Sequence, residues 1–212
     1  MQPFVYDGLP SRVVFGRGTL SRLSEELDHL GCSRALVLAT PQQHEQASRV
    51  LAQLGEKGIG VYADAAMHTP VDVTDNALQV VKELNVDCTI AIGGGSTIGL
   101  GKAIALRTGL PQIAIPTTYA GSEMTPILGE TRDGIKTTQR TLDVLPETVI
   151  YDVDLTLTLP AEMSGTSGIN AIAHAVEALY ARDCNPVIAL MAEEGIAALA
   201  RSLPVIANDP SN

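Results

Sequence analysis

The feature that most constrains this chain is a short apolar run that ends in three consecutive glycines and two hydroxyl residues, at residues 89–97. A short apolar run is typical of a buried strand, and a helix-like segment follows it as far as Arg107. Glycine lets the main chain turn sharply and lets a ligand lie against bare backbone. The free N–H groups at such a helix start favour an anion, above all a phosphate. The run therefore predicts a strand, a turn that binds phosphate, and a helix.

The glycine turn does not match either common nucleotide motif. Ile98 stands where the dinucleotide fingerprint G-x-G-x-x-G needs its last glycine, and Ser96 stands where a P-loop needs its first. A glycine-rich turn without any ligand is the alternative interpretation. Three adjacent glycines carry an entropic cost, which argues against that alternative.

Composition and charge limit the classes of partner. Hydrophobic residues make up 45% of the 212 residues, so the chain can bury a core. A formal charge of −10 and an aromatic content of 3% without tryptophan argue against a nucleic-acid partner. Three widely spaced cysteines without a C-x-x-C pair are typical of reduced thiols. With no signal-peptide pattern and no apolar run of about 20 residues, we expect a cytoplasmic protein without membrane contact.

Apolar runs alternate with segments of helical spacing over most of the chain. Because the runs are apolar throughout, they predict an α/β fold with a parallel sheet covered on both faces. Two β-rich runs at residues 4–6 and 12–15 flank a turn-forming Asp-Gly-Leu-Pro and predict an edge hairpin. Residues 117–141 are polar and show no clear helix period.

The pattern changes after a last predicted strand near Ile150, because from Pro160 onward the spacing is helical only. We therefore predict a dinucleotide-binding α/β domain at 1–157 and the beginning of an all-helical substrate domain at 158–212. The predicted helices at 171–180 and 187–203 could not bury a core by themselves. We expect this second domain to be incomplete.

Polar residues follow three of the predicted parallel strands. Thr40, the glycine turn and the Thr117-Thr118 pair each come directly after an apolar run. The carboxyl ends of parallel strands form the ligand crevice of an open α/β sheet, so these loops could bind the parts of a dinucleotide. An acidic residue is the usual partner of the NAD ribose, and Thr40 is not acidic, so the sequence dictates neither NAD nor NADP.

Asn170 and His174 lie four residues apart on a predicted helix and therefore share a face. They could bind a metal or a polar group of a substrate. One imidazole and one carboxamide make a poor transition-metal site. A histidine on an alanine-rich helix is more commonly a packing residue, and that alternative stays open.

Lys136 lies between Arg132 and Arg140 in a polar segment. A solvated lysine is the ordinary interpretation. A basic cluster on an acidic protein would also suit a dianionic substrate or a nucleotide phosphate. The remaining histidines show no convincing partner in the sequence: His29, His44 and His68.

Four segments resemble the iron-containing alcohol dehydrogenase superfamily and, within it, the maleylacetate reductase branch. They are FGRG at 15–18, AIGGGS at 91–96, IPTTYAGSEMTP at 115–126 and SGINAIAHAVE at 167–177. Metal-dependent members carry an acidic residue where this chain has Gly99, and an aspartate metal ligand where it has Asn170. An amide lacks the charge that holds a divalent cation, so the resemblance implies that no metal is needed.

The resemblance implies a dehydroquinate synthase-like fold, a homodimer, and NADH- or NADPH-dependent reduction of 2-maleylacetate, a small dicarboxylate, to 3-oxoadipate in aromatic compound catabolism. The cofactor-binding residues it implies are Thr40 and Gln42 for the adenosine, Gly94, Gly95, Ser96 and Thr97 for the pyrophosphate, Thr117, Thr118, Ser122 and Thr125 for the nicotinamide side, and Leu155 for the far ribose. The catalytic residues it implies are His174, Asn170 and Lys136.

Two other functions stay open. A metal-dependent alcohol or polyol dehydrogenase of the same fold is one, although Asn170 counts against it. The other is a nucleotide-binding fragment without turnover, since the helical part of the chain is expected to be incomplete. Metal analysis would distinguish the metal-dependent dehydrogenase from the metal-free reductase. Dinucleotide titration with and without turnover would distinguish the nucleotide-binding fragment from an active enzyme.

Overall fold

The computed structural model describes residues 3–209 of the chain. The chain forms two compact units, a larger one of residues 11–117 and 121–155 and a smaller one of residues 1–10, 118–120 and 156–212. The domain limits expected from the sequence, 1–157 and 158–212, stay a prediction. No helix among residues 3–209 is both long enough and apolar enough to cross a membrane.

The larger unit is built on a six-stranded parallel sheet and a separate two-stranded hairpin. The sheet has the strand order β1-β8-β5-β4-β2-β3, and β6 pairs with β7 in the hairpin. This arrangement confirms the α/β fold class expected from the alternating pattern. The strands are β1 (Arg12–Gly16), β2 (Ala35–Leu38), β3 (Gly58–Tyr62), β4 (Cys88–Gly93), β5 (Gln112–Pro116), β6 (Ile127–Arg132), β7 (Ile135–Arg140) and β8 (Thr148–Asp152).

Four helices cover the two faces of the sheet: α1 (Leu23–His29), α2 (His44–Leu54), α3 (Val71–Glu83) and α4 (Gly95–Thr108). On one face, Leu23 of α1 and Val50 of α2 pack against strand residues such as Ile90. On the other face, Val81 of α3 and Ile104 of α4 belong to a second buried cluster. Each such side chain contributes roughly 1.5–3 kcal/mol when fully buried, so the sheet is held from both faces.

The connections diverge between β2 and β4, which are neighbours in the sheet. The chain leaves β2 for the edge strand β3, whereas it leaves β4 through α4 for β5 on the opposite side. Open α/β sheets bind ligands outside the carboxyl ends of strands at such a switch point. The glycine turn after β4 and the loop after β2 both border this crevice.

The predicted N-terminal hairpin is wrong. Residues 4–6 form no strand, and β1 instead pairs in parallel with β8, with Val13 opposite Val149. Pairing with a strand distant in sequence, rather than the local β-rich pattern, therefore determines the partner of β1. A hairpin does form at β6 and β7, across Asp133 and Gly134, which have φ angles of 51° and 78°. An Asp-Gly pair is a strong signal for such a turn, and the polar pattern of residues 117–141 alone does not predict it.

The smaller unit contains α5 (Ala161–Tyr180) and α6 (Pro186–Asn208), each longer than the segment predicted from its spacing. The side chain of Asn185 accepts hydrogen bonds from the amides of Val187 and Ile188 and so caps α6. The two helices approach closely at Gly168, where an added Cβ would lie 2.3 Å from a methyl of Leu203. Only glycine permits this distance between them.

Candidate functional site

The glycine turn joins β4 to α4 as the sequence predicts. Gly93 has a φ of 151°, and an added Cβ there would lie 2.6 Å from both Thr97 Oγ1 and Gln43 Oε1. Gly94 is extended and precedes the first helical residue, Gly95. Because the first N–H groups of a helix have no intrahelical partner, Gly95 and Ser96 offer main-chain donors to an anion.

Thr97 differs from the other hydroxyl residue of the turn. Its side chain is fully buried beside Gly93, and its Oγ1 has no hydrogen-bond partner within residues 3–209. Ser96 is half-buried and borders a cavity. The expected contact of Thr97 with the pyrophosphate stays a prediction. Its main-chain amide already donates to the carbonyl oxygen of Gly94 over 3.1 Å.

The ends of β2, β4 and β5 are linked by a residue that the sequence analysis missed, Gln43. Its Nε2 donates to Thr117 Oγ1 over 3.2 Å, and its Oε1 accepts from Thr40 Oγ1 over 3.3 Å. Gln42, the neighbour that was predicted to approach the adenosine, is exposed. The signal available in the sequence was the spacing of three from Thr40 in a helical turn, which favours Gln43.

A cavity of about 270 Å³ lies beside the glycine turn, entirely within the larger unit. It brings together four of the predicted residues, Gly95, Ser96, Ser122 and Lys136. Two residues that the sequence analysis did not select, His68 and Thr69, also line it. The cavity is smaller than the roughly 300–1,000 Å³ of sites for drug-sized ligands, so it suits a small molecule or one end of a larger one.

Lys102 of α4 holds the chain segment between β5 and β6 in place. Its side chain is fully buried, and its Nζ donates to the carbonyl oxygens of Ser122, Thr125 and Ile127 and to Thr125 Oγ1. Burial lowers the pKa of Lys102 to about 8, and the carboxylate of Glu123 opposes that shift. The predicted residues Ser122 and Thr125 are therefore positioned by a buried ammonium group.

Glu123 anchors the same segment from another side. The hydroxyl of Tyr151 on β8 donates to Glu123 Oε1 over 2.8 Å. Burial and the neighbouring carboxylate raise the pKa of Tyr151 well above its usual range, so the hydroxyl stays a donor. Glu123 is 3% exposed, and its Oε2 has no hydrogen-bond partner in the described part of the chain.

The basic cluster proposed around Lys136 is divided by the hairpin register. Lys136 lies opposite Thr131, and its Cε is 3.1 Å from where a Cβ on Gly129 would stand. Side chains alternate along a strand, so Lys136 and Arg140 share a face while Arg132 lies on the other. The interpretation of Arg132 as a neighbour of Lys136 is therefore wrong.

The remaining predicted residues lie elsewhere. Leu155 ends the larger unit and packs against its core, whereas Thr118 belongs to the smaller unit. Asn170 and His174 are both exposed on α5, and His174 Nδ1 lies 3.3 Å from Glu177 Oε2. Their roles stay predictions.

The described residues do not form a metal centre by themselves. Among residues 3–209 there is no group of three or more His, Cys, Asp or Glu side chains that could hold an ion. Asn170 is a neutral amide, and His174, four residues along the same helix, adds a single imidazole. The expectation that the protein works without a metal stays a prediction.

Comparison with known proteins supports the same architecture. Residues 10–153 match the family described as iron-containing alcohol dehydrogenase. A maleylacetate reductase of Sphingobium indicum is 60% identical over 209 residues, which are 99% of this chain and 59% of that protein. One from a Rhizobium species is 57% identical over all 212 residues, 60% of that protein. The crystal structure of maleylacetate reductase from Agrobacterium tumefaciens superposes with a TM-score of 0.98 at 56% identity, covering 100% of this chain and 61% of that one.

The chain therefore spans about three fifths of the length of the relatives it matches. The family match covers more than half of this chain and includes the glycine turn, the β5–β6 segment and the hairpin. This chain belongs to the iron-containing alcohol dehydrogenase family.

Proposed function

We propose that the protein to which this chain belongs is an oxidoreductase that reduces 2-maleylacetate, a small dicarboxylate, to 3-oxoadipate with NADH or NADPH. The observation that carries the proposal is the 60% identity over 209 residues with a protein named maleylacetate reductase. The glycine turn at the switch point of the sheet supports it, because that is where an open α/β sheet binds a dinucleotide.

In this proposal, different residues of the larger unit bind different parts of the cofactor. The main-chain amides of Gly95 and Ser96 bind the pyrophosphate at the start of α4. Thr40 and Gln43 lie at the adenosine side, and Thr117 holds Gln43 in place. Ser122, positioned by Lys102, borders the cavity where the reacting end lies.

The reaction adds a hydride and a proton across a carbon–carbon double bond conjugated to a ketone. The reduced nicotinamide supplies the hydride when it is bound. Negative charge then develops on the ketone oxygen of the substrate, and a hydrogen-bond donor aimed at this oxygen lowers the barrier. In the proposal Lys136 or His174 provides that donor, Asn170 orients the substrate, and a proton added at carbon completes the reduction.

We propose further that the reaction needs no metal, although the family is named for iron. The support is the neutral Asn170 together with the lack of a three-ligand group within residues 3–209. An enone is already activated for hydride addition, so it requires a Lewis acid less than an alcohol does. Homodimer formation stays a prediction from the resemblance, and a cytoplasmic location stays a prediction from the sequence pattern.

The test is to follow NADH absorbance in the full-length protein with maleylacetate, with and without a chelator, alongside metal analysis. We expect oxidation of NADH that depends on maleylacetate and survives chelation. Oxidation of a simple alcohol by NAD⁺ that requires added iron or zinc would instead support the metal-dependent alternative. NADH binding without turnover would support a nucleotide-binding module.

A further inference from the structure

Two neighbouring residues of the β5–β6 segment have different surroundings. Ser122 borders the cavity beside the glycine turn, whereas Glu123 is not among the described residues that line it and is only 3% exposed. Both belong to one short turn, Ser122–Met124. Because consecutive residues share a planar peptide unit, a contact that fixes Glu123 also restricts where Ser122 can lie.

The side chain of Glu123 is attached to the sheet through Tyr151. The Tyr151 hydroxyl donates to Glu123 Oε1 over 2.8 Å, and its strand, β8, lies between β1 and β5 in the sheet. The other carboxylate oxygen, Oε2, has no hydrogen-bond partner within residues 3–209. The contact with Tyr151 therefore orients this buried carboxylate. Hydrogen bonds to a charged acceptor are among the stronger ones in proteins.

The ring of Tyr151 is itself held in place. It lies opposite Phe15 of β1, and the two ring centroids are 6.3 Å apart at an interplanar angle of 52°. The ring also packs against a buried cluster that contains Ile98 of α4 and Val149 of β8, and Met124 packs against the same cluster. Strand and helix side chains thus fix the point from which the hydroxyl reaches Glu123.

Tyr151 and Lys102 fix different parts of the same turn. Lys102 contacts the main chain, through the carbonyl oxygens of Ser122 and Thr125. Tyr151 contacts the side chain of Glu123. A main-chain contact alone leaves rotation of the turn about that contact, and a second contact on a side chain removes this freedom. Together the two contacts determine the orientation of Ser122 as well as its position.

We propose that Tyr151 and Glu123 are positioning residues for hydride transfer, because the hydrogen bond between them fixes Ser122 at the reacting end of the cofactor. The inference rests on the proposed function, in which Ser122 borders the reacting end. Neither positioning residue touches the cofactor. A small displacement of reacting groups slows a reaction strongly, while contacts elsewhere on the cofactor persist. Loss of the hydrogen bond should therefore reduce the rate of hydride transfer more than the affinity for NADH.

The test is Tyr151→Phe in the full-length protein, measured in single turnovers of bound NADH with maleylacetate. In such an experiment the rate reports hydride transfer and the amplitude reports the folded, active fraction. The rate should fall about 5- to 50-fold, whereas the KM for NADH should change less than about threefold. A role in stability alone would lower the amplitude and leave the rate unchanged, and that result would overturn the proposal.

A matched control removes the same hydroxyl elsewhere. Tyr62 on the edge strand β3 is buried and donates to the carbonyl oxygen of Val73 over 3.1 Å. Tyr62→Phe should leave the single-turnover rate within about twofold of the wild type, since it removes a hydrogen bond of about the same strength away from the turn. A loss of rate in Tyr62→Phe equal to that in Tyr151→Phe would contradict the proposal.

Substitutions of Glu123 separate the hydrogen bond from the charge. Glu123→Gln keeps an oxygen that can accept from Tyr151 and should retain the rate within about threefold. Glu123→Met cannot accept and should be about as slow as Tyr151→Phe. The double variant should be no slower than the slower single variant, because both remove one interaction. A rate in Glu123→Gln as low as that in Glu123→Met, or fully additive losses, would overturn the proposal.

A measurement without maleylacetate separates this inference from the proposed function. The fluorescence lifetime of bound NADH depends on the surroundings of the nicotinamide. Tyr151→Phe should change that lifetime, while Tyr62→Phe should not. If the wild type binds NADH but does not reduce maleylacetate, the proposed function fails and the lifetimes still test the positioning. An unchanged lifetime in Tyr151→Phe would overturn the positioning itself.

Discussion

The walls of the cavity are built in two different ways. At the glycine turn, residues without a side chain adopt the conformation that the turn needs, and the neighbouring sequence is sufficient to set it. The segment at His68 and Thr69 adopts a left-handed conformation without any glycine and relies on Thr131 and Gly99, which are distant in sequence. The comparison teaches that a cavity wall can be formed in two ways. Glycines can adopt the required backbone conformation locally, or contacts with residues distant in sequence can stabilise a strained conformation.

The largest expected change in stability tests the glycine turn, whose conformation local residues determine. Gly93→Ala should lower the free energy of unfolding by about 3 kcal/mol or more, because the new Cβ would meet Thr97 and Gln43 at 2.6 Å in a backbone conformation that alanine avoids. Gly18→Ala is the control, since Gly18 also has a positive φ, 67°, but no atom lies within 4 Å of its Cβ position. Chemical denaturation should show a loss of about 1 kcal/mol there. Equal losses would contradict the steric argument.

A second effect concerns the segment that Lys102 holds from a distance. Because burial lowers the pKa of Lys102 from 10.5 to about 8, the unfolded chain binds the proton more tightly than the folded chain. The stability of the wild type should therefore rise, relative to that of Lys102→Met, as pH increases from about 8 toward 10.5, by on the order of 1–3 kcal/mol.

Urea denaturation of both proteins across this range measures the effect. The comparison with Lys102→Met removes the contribution of groups that titrate in both proteins, including Tyr62, whose pKa is raised by burial. At neutral pH the variant should also lose the order of the β5–β6 segment, because the carbonyl groups of Ser122, Thr125 and Ile127 lose the ammonium group that donates to them. A pH dependence identical in the two proteins would rule out this role of the ammonium group.

A smaller effect tests the strained wall. Gly99→Ala should lower stability by about 1–2 kcal/mol, although alanine is the better helix former, because its Cβ would stand 2.3 Å from Thr69 Oγ1. Adding Thr69→Ala should recover part of that loss by removing the hydroxyl. Gly101→Ala on the same helix meets its nearest atom at 3.4 Å and should cost little. Additive losses in the double variant would show that the two residues do not press on each other.

The smallest expected effect tests whether Arg132 and Lys136 lie on opposite faces of the β6–β7 hairpin. Arg132→Gln should change stability by less than about 0.5 kcal/mol and leave the KM for maleylacetate of the full-length protein unchanged, because the register directs Arg132 to the face opposite Lys136. Arg140→Gln, on the same face as Lys136, should have the larger effect of the two on this KM. The reverse order of the two KM changes would contradict the register.

The sequence was sufficient for the parts of the molecule that local residues determine. The parallel sheet follows from uniformly apolar runs, and the turn at Gly93 follows from its glycines, since both patterns act over a few residues. The edge pairing of β1 with β8 could not be foreseen, because the runs at 4–6 and 12–15 look equally suited to a hairpin and only the completed sheet decides between partners.

The same distinction explains the site. Gly95, Ser96, Ser122 and Lys136 were selected from the sequence and do line one cavity. His68 was set aside because it has no partner nearby in sequence, and its place in the wall depends on a hydrogen bond from β6 to the neighbouring Thr69. Gln43, rather than its exposed neighbour Gln42, contacts Thr40 and Thr117, and only its spacing of three from Thr40 indicates this in the sequence.

The pairing of β1 with β8 has a consequence for synthesis of the protein. Within this sheet, β1 is synthesised before the other strands and finds its partner only after β8 has emerged. Until then the nascent chain exposes an unpaired edge of the sheet. Unpaired edges are the places where partly folded chains pair with one another and aggregate. Slower translation after β5, or a chaperone that covers residues 12–16, should therefore raise the yield of folded protein more than stabilising any helix would.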